Sequence, residues 1–325
     1  MGLEKKRRQD MRILITGGAG FIGSNIADAF LTRGHEVGVL DDLSSGRREN
    51  VPARARFFQH DISSPEVAGV VDSFRPEVLC HHAAQIDVRA SVADPARDAE
   101  INILGTLRLL ELCRAAGARR VLFASTGGAI YGEQDAFPAT ESHPARPVSP
   151  YGVAKLSVEH YLHYYGVQHG FRSTCLRYAN VYGPRQNAHG EAGVVAIFAS
   201  RLLAGETPTI NGKGEQTRDF VFVDDVVRAN VAALEKELVG AFNVGTGVET
   251  SVNELYDAIR RAAASSIEAS RGPEKPGEQL RSSLDSSKFE DAAGFRPRTR
   301  LDTGIAATVE YFRSVARADI RALRA

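Results

Sequence analysis

The chain has no excess of charge of either sign: its 40 lysines and arginines are matched by 40 aspartates and glutamates. No global field therefore draws it to nucleic acid or to an anionic membrane, which leaves only a local basic pocket for a phosphate. Cysteine is scarce. Cys80, Cys113 and Cys175 are too few and too scattered for a disulfide framework, and they lack the CxxC spacing of a zinc site. They read as buried free thiols of a cytoplasmic protein. Long apolar runs are missing as well. No segment approaches the roughly 20 apolar residues of a membrane span, and the run from Ile13 to Thr16 is cut by Gly17 before it reaches the apolar length of a secretory signal. There is no fixed-period repeat and no low-complexity tract. The nine histidines include His81-His82 and the helical pair His160/His163, but no HExxH or carboxylate partner accompanies them, so no metal is expected. Residues 1–10, with Lys5, Lys6, Arg7 and Arg8, read as a disordered extension ahead of the first strand.

What is present is the balance of a soluble globular protein, 43% apolar and 25% charged over 325 residues. Short apolar runs (13–15, 37–40, 57–59, 78–81, 121–124 and 173–177) alternate with helix-length segments at 24–33, 95–116 and 151–169. That alternation predicts an α/β protein, a Rossmann-type doubly wound parallel sheet covered by helices on both faces. After about Val181 the segments shorten and are broken by Gly and Pro. The division expected is a dinucleotide-binding domain over 11–180 and a smaller C-terminal substrate-binding lobe over 181–325, with Phe242–Val244 able to rejoin the main sheet.

The strongest local signal is Gly17-Gly18-Ala19-Gly20-Phe21-Ile22-Gly23, a GxxGxxG between a strand and a helix. Such glycines let a pyrophosphate approach the backbone at Gly17, Gly20, Phe21, Ile22 and Gly23, and the helix N-terminus adds favourable dipole charge. Asp41 ends the next strand. A carboxylate there accepts the adenosine ribose hydroxyls and repels a 2′-phosphate, and Asp42 adds negative charge, which favours NAD over NADP. A plain helix cap or turn is the alternative for Asp41. Further on, Tyr151 and Lys155 stand four apart and share a helix face. An ammonium beside a phenol stabilises the phenolate. YxxxK alone is common on amphipathic helices. It gains meaning from the hydroxyl pair Ser125-Thr126 at the end of the preceding strand, which could reach a substrate oxygen held near the tyrosine.

Taken together these pieces resemble the extended short-chain dehydrogenases/reductases that modify nucleotide sugars. The resemblance spans about residues 11–315 in order: Thr16–Gly23, Leu40–Asp42, Asp61-Ile62, His81–Ala84, Asn102, Ser125–Gly132, Tyr151–Lys155, Leu176–Pro184, Arg218–Phe220 and Asp224-Asp225. It implies that Asp61 and Ile62 meet the adenine, that Ala83, Ala84 and Asn102 line the cofactor, and that Lys155 also holds the nicotinamide ribose. It further implies that Tyr178 and Asn180 face the nicotinamide and the sugar, that Arg218 binds the diphosphate, and that Val194, Lys275, Glu278 and Ser282 border the substrate.

Within that family the segment Ser125-Thr126-Gly127-Gly128-Ala129-Ile130-Tyr131 discriminates. Sugar dehydratases follow the Ser/Thr with Asp-Glu; this chain has Gly127-Gly128 and therefore no acid or base for dehydration. The expected activity is NAD-dependent 4-epimerisation of a UDP-hexose, with Tyr151, Lys155, Thr126 and Ser125 as the catalytic set. A net 4-ketoreductase or dehydrogenase, or an epimerase of UDP-glucuronate, is the alternative. Glu100, Glu111 and Glu159 are expected on solvated helix faces. The stripes Leu156, His160, His163, Tyr164 and Leu107, Leu110, Leu112 are expected to form core or a homodimer seam. Ser282, small and four residues beyond Glu278, is expected to admit an N-acetyl group.

Overall fold

A computed structural model describes residues 10–188, 193–274 and 279–322, with side chains as far as 317. The expected extension up to residue 9, and the expected substrate residues Lys275 and Glu278, lie outside the described residues.

The first half alternates strand and helix as expected. β1 (Arg12–Thr16), β2 (Glu36–Leu40), β3 (Arg56–Phe58), β4 (Val78–His81), β5 (Arg120–Thr126) and β6 (Arg172–Tyr178) all pair in parallel, in the order β3-β2-β1-β4-β5-β6. The winding direction reverses between β1 and β4, and ligands of such sheets bind at the carboxyl ends of the strands flanking that reversal. Side-chain alternation shows why the strands read as unbroken apolar runs. Ile13, Ile15, Val37, Val39, Val78 and Cys80 face one layer, and Leu14, Leu40, Leu79, Val121 and Phe123 face the other. Both layers are closed by helices, so neither face reaches water. Each fully buried aliphatic side chain contributes about 1.5–3 kcal/mol.

The second half is not a separate block. β7 (Asn180–Tyr182), β9 (Thr217–Phe222) and β11 (Glu249–Ser251) form a small sheet, and β8 (Thr209–Asn211) pairs with β12 (Ser270–Gly272). These surround a core of their own with the helices Val194–Leu203, Val252–Ala263 and Leu301–Ala322. But β10 (Gly240–Val244) joins the main sheet beside β6, and the helix Val223–Glu235 packs on the glycine-loop helix Phe21–Thr32. Among the described residues no helix is long and apolar enough to cross a membrane.

The helix Pro150–His169 carries the expected catalytic pair, and its ends are set by sequence. Ser149 accepts a hydrogen bond from Gly152 N, Pro150 occupies the first turn, and Gly170 closes the helix at φ +71°. One stripe of it is buried: Gly152, Lys155, Glu159 and Leu162 recur at helical spacing. Gly152 belongs there for a steric reason, since a Cβ would sit 2.8 Å from the Ala129 carbonyl oxygen.

Glu159 corrects an expectation. It is not on a solvated face but 9% exposed, gripped by Arg177 of β6 through contacts of 2.6, 3.0 and 3.2 Å. Arg177 also donates to the Tyr131 hydroxyl at 2.9 Å, and that hydroxyl donates to Asn243 of β10 at 2.7 Å. Glu100 and Glu111 do sit on accessible faces, paired with Arg97 and Arg114. The buried pair locks this helix to β6, and removing one partner leaves the other charged and unmatched. Arg177→Met is therefore expected to cost about 3–5 kcal/mol in urea unfolding. The double variant Glu159→Leu/Arg177→Met should recover most of that loss.

Candidate active site

The site begins where β1 ends. Gly17 has φ +66°, and a Cβ there would lie 2.7 Å from Ala83 N and 2.8 Å from the His82 carbonyl carbon. Gly23 is closed more tightly, 2.3 Å from the Gly17 oxygen. These glycines bring the turn against the segment leaving β4 and let the helix start at Phe21 with no side chain capping it. The uncapped amide groups at Phe21 and Ile22, with Gly20 before them, are donors suited to a pyrophosphate. A dinucleotide fits this donor set: a cradle that any side chain would fill, with a carboxylate at its far end.

That carboxylate is Asp41, 7% exposed. It accepts from Ala19 N and Leu43 N, each at 2.9 Å, so it pins the glycine turn to the loop after β2. Burial, the largest influence, raises its pKa, while the bonds from Leu43 and Ala19 oppose that rise. Two hydrogen bonds leave acceptor capacity for ribose hydroxyls, since a carboxylate offers about four lone-pair sites. Asp42 is exposed and caps Ser44. Asp61 caps Ser63 at 2.7 Å, and Ile62 is buried in the core below.

The loop after β4, Ala83 to Asp87, forms the opposite wall. Ala83 N donates to Thr16 Oγ1, and His81 bridges Thr16 and Thr106 at 2.7 and 2.8 Å. Burial holds His81 neutral, its pKa lowered to about 3. The Asn102 side-chain amide is engaged within the protein. Its Oδ1 accepts from Gln85 N and its Nδ2 donates to Gln85 O and Asp98 Oδ1, all at 2.9 Å. It clamps the loop that carries Ala83 and Ala84, from a π-helical stretch over Glu100–Gly105.

Tyr151 and Lys155 meet as expected. Lys155 Nζ lies 5.7 Å from the Tyr151 ring centroid and 4.8 Å from that of Phe123, and donates to the Ala124 carbonyl at 2.9 Å. Lys155 is 4% exposed, and burial lowers its pKa to about 8. Burial, then Asp98, pushes the Tyr151 phenol up. Thr126 follows on the β5 end and leads into the short helix Gly127–Ile130 without capping it. The two glycines after it differ. A Cβ on Gly127 would collide with Leu284 Cδ1 at 2.3 Å. One on Gly128 would point between Asn180 Oδ1 and Thr126 Oγ1, at 3.7 and 3.8 Å. Thr126 and Asn180 thus line one side of the turn, beside a gap where no carboxyl stands.

Two expected site residues have their hydroxyls engaged within the protein. Ser125 is 3% exposed and donates to Glu159 Oε1 at 2.5 Å, so its hydroxyl is engaged by the buried ion pair. Alternation along β5 explains this, since neighbours face opposite sides of a strand. Tyr178 is 5% exposed, with its hydroxyl taking Asn230 Nδ2 at 2.8 Å and meeting His82 Nε2 at 3.2 Å inside the core. On the substrate side, Val194 opens the helix Val194–Leu203, and Arg218 lies part-buried on β9. Ser282 is 2% exposed and accepts from Gln134 Nε2 at 3.4 Å. Among the described residues no group of three or more potential ligands could hold a metal. Sequence reasoning missed Gln85 and Asp98. Their only signal was Asp98 lying one helical turn before Asn102.

A family model described as the NAD dependent epimerase/dehydratase family matches residues 13–245. The UDP-glucose 4-epimerase of Mycolicibacterium smegmatis is 48% identical over 310 residues, which cover 94% of this chain and 99% of that protein. The solved UDP-glucose 4-epimerase of Thermotoga maritima with UDP-glucose matches with a TM-score of 0.92 at 47% identity, over 94% of this chain and 100% of that one. The UDP-glucose 4-epimerase of Thermus thermophilus in complex with NAD gives 0.89 at 48% identity, over 93% and 99%.

The Asp41 geometry yields a test. Asp41→Ala removes the carboxylate that would accept ribose hydroxyls and repel a 2′-phosphate. The NADP-to-NAD affinity ratio should rise on the order of tenfold, the equivalent of about 1.4 kcal/mol. An unchanged ratio in titrations with both dinucleotides would confine Asp41 to pinning the turn.

Proposed function

We propose that this chain, which belongs to the NAD-dependent epimerase/dehydratase family, is a UDP-hexose 4-epimerase that interconverts UDP-glucose and UDP-galactose. The observation that carries the reading is Tyr151 and Lys155 on one helix face beside Thr126, with Gly127-Gly128 where a dehydrating acid would stand. Its relatives of 47–48% identity are UDP-glucose 4-epimerases, one with UDP-glucose and one with NAD.

When bound, NAD supplies the two-electron acceptor and donor for the sugar C4. This chain's residues move the proton and hold the oxygen. Tyr151 as phenolate takes the proton from O4 and later returns it. Burial resists the phenolate, so the nearby ammonium has to draw it out, and Lys155, titrating near 8, still carries that charge at pH 7. Thr126 hydrogen-bonds the oxygen where charge develops. With no acid or base at positions 127 and 128, the 4-keto sugar has one exit: turning over on its diphosphate tether, which Arg218 holds, and accepting hydrogen on the other face. The glycine cradle, with Asp41 at its end, suits a cofactor retained from turnover to turnover.

We also read the exposed stripe Leu104, Val153, Tyr161, Tyr164 and Val167, each between 40% and 68% exposed, as a homodimer seam formed by two helices of each subunit. The three buried free cysteines suit the cytoplasm.

Purified protein given UDP-glucose should form UDP-galactose by NMR with no net change in nicotinamide absorbance. Stoichiometric reduction of added NAD would instead make it a net dehydrogenase. Tyr151→Phe should lower turnover by about 10²–10⁴-fold while retaining the dinucleotide. Ser282 is small and buried against Gln134, and on this reading the N-acetylated sugar pair is accepted as well. Ser282→Tyr should abolish turnover of that pair and spare the plain hexoses; equal loss on both would remove Ser282 from the sugar pocket.

A further inference from the structure

Asp98 sits on the short helix Pro95–Ala99, which packs against the catalytic helix Pro150–His169. It is 1% exposed. One oxygen, Oδ1, accepts from Asn102 Nδ2 at 2.9 Å and Gln85 Nε2 at 3.2 Å. The other, Oδ2, is buried with no hydrogen-bond partner. A buried carboxylate oxygen without a donor is costly, and it persists only where something else compensates its charge.

Among the described residues no salt bridge joins Asp98 to Lys155, but the helix that carries Asp98 packs on the one that carries Lys155, and the ammonium acts on the carboxylate across that contact. Lys155 donates to the Ala124 carbonyl of β5 and lies over the rings of Phe123 and, on its own helix, Tyr151; the titratable groups that share a field with it are His81 and His82 at the end of β4, and Asp98. Both histidines are driven to about 3 by burial and are neutral at working pH. Asp98 is then the ionised group that opposes the desolvation of the ammonium. The arrangement is reciprocal: burial raises the Asp98 pKa, and the amides of Asn102 and Gln85 and then Lys155 oppose that rise, while burial lowers the Lys155 pKa and Asp98 opposes that fall. Resting on the epimerase reading above, we propose that Asp98 is a positioning residue of the reaction, the buried counter-charge that keeps Lys155 an ammonium beside Tyr151. It acts on the phenol in the opposite sense, as a like charge that disfavours the phenolate. Its Oδ1 meanwhile fixes the Asn102–Gln85 clamp. One side chain thus bears on both the wall of the cofactor cradle and the charge of the ammonium beside the base.

The signs make this testable with Asp98→Asn, which keeps an Oδ1 acceptor for Asn102 and Gln85 and removes only the charge. Without that charge the ammonium and the phenol both lose their protons at lower pH, so both limbs of the pH–kcat profile move down. Both limbs should shift acidward by on the order of one pH unit, with KM and retained dinucleotide near the wild type. Asp98→Glu, which restores the charge, should move both limbs back toward the wild type. An ultraviolet difference titration of the Tyr151 phenolate, corrected with Tyr151→Phe in each background, should show the same downward shift without turnover. If the wild type fails to interconvert the sugars, the function reading fails while this titration still decides the role of Asp98. Should Asp98→Asn not fold, Asp98→Ser keeps a hydroxyl acceptor and is read identically. An unchanged profile and titration in the uncharged variant, with or without a lower maximal rate, would overturn the proposal and leave Asp98 as a clamp alone.

Discussion

A lysine ammonium held out of water is the constraint on which the site depends. Lys155, 4% exposed, is placed at the end of β5 by a helix whose sequence leaves it little freedom. Ser149 and Pro150 fix where the helix starts, Gly152 lets it press on the Ala129 carbonyl, and the Glu159–Arg177 pair bolts its next turn to β6. Burying a charge is expensive unless it is matched. Here the match is assembled from the Ala124 carbonyl, the faces of Phe123 and Tyr151, and the charge of Asp98 on the helix packed alongside. The outcome is an amine titrating near 8, charged under working conditions yet poorly hydrated, so its field acts on the phenol with little screening.

Legibility in the sequence followed the range of the interaction. The sheet could be read because each strand is buried on both faces and so appears as an uninterrupted apolar run, and the glycine turn because its φ and its contacts are local. The YxxxK pair could be read because four residues is one helical turn. Glu159 could have been read by the same rule, since it continues the stripe of Tyr151 and Lys155 at the next turn. It was expected in solvent because its partner Arg177 lies on another element, where periodicity carries no information. Ser125 followed it into the interior for the same reason: adjacent hydroxyls at a strand end look equivalent in sequence and face opposite ways in the sheet. The polar atoms of Tyr178 and Asn102 are taken by Asn230 and Gln85, contacts that sequence spacing does not reveal.

The pair Gly127-Gly128 shows two constraints written in one residue type. Gly127 answers to packing, because Leu284, reaching over from the far part of the chain, occupies the space a side chain would need. Gly128 answers to the chemistry, because its open side faces Thr126 and Asn180. A carboxyl at position 127 would have to evict a fully buried leucine, whereas one at 128 would enter the site directly. The bar to dehydration is therefore partly built into the core, not only into the absence of a catalytic acid.

The buried aspartates separate by what their oxygens meet. Asp41 takes the amides of Ala19 and Leu43; Asp219 takes those of Thr246, Gly247 and Leu284; Asp225 takes those of Arg298 and Thr299. Each pins a connection to the strand or helix that carries the acid, and in each both oxygens have a donor or a cation. Backbone amides are fixed dipoles that do not titrate, so these carboxylates are matched once, on folding. Asp98 departs from the pattern: one oxygen has two side-chain amides and the other has none. Its charge is left to be balanced across space by a group that does titrate, and that group belongs to the catalytic pair. A carboxylate matched by amides holds a loop still, whereas one matched by a distant ammonium couples its own charge to that of the base.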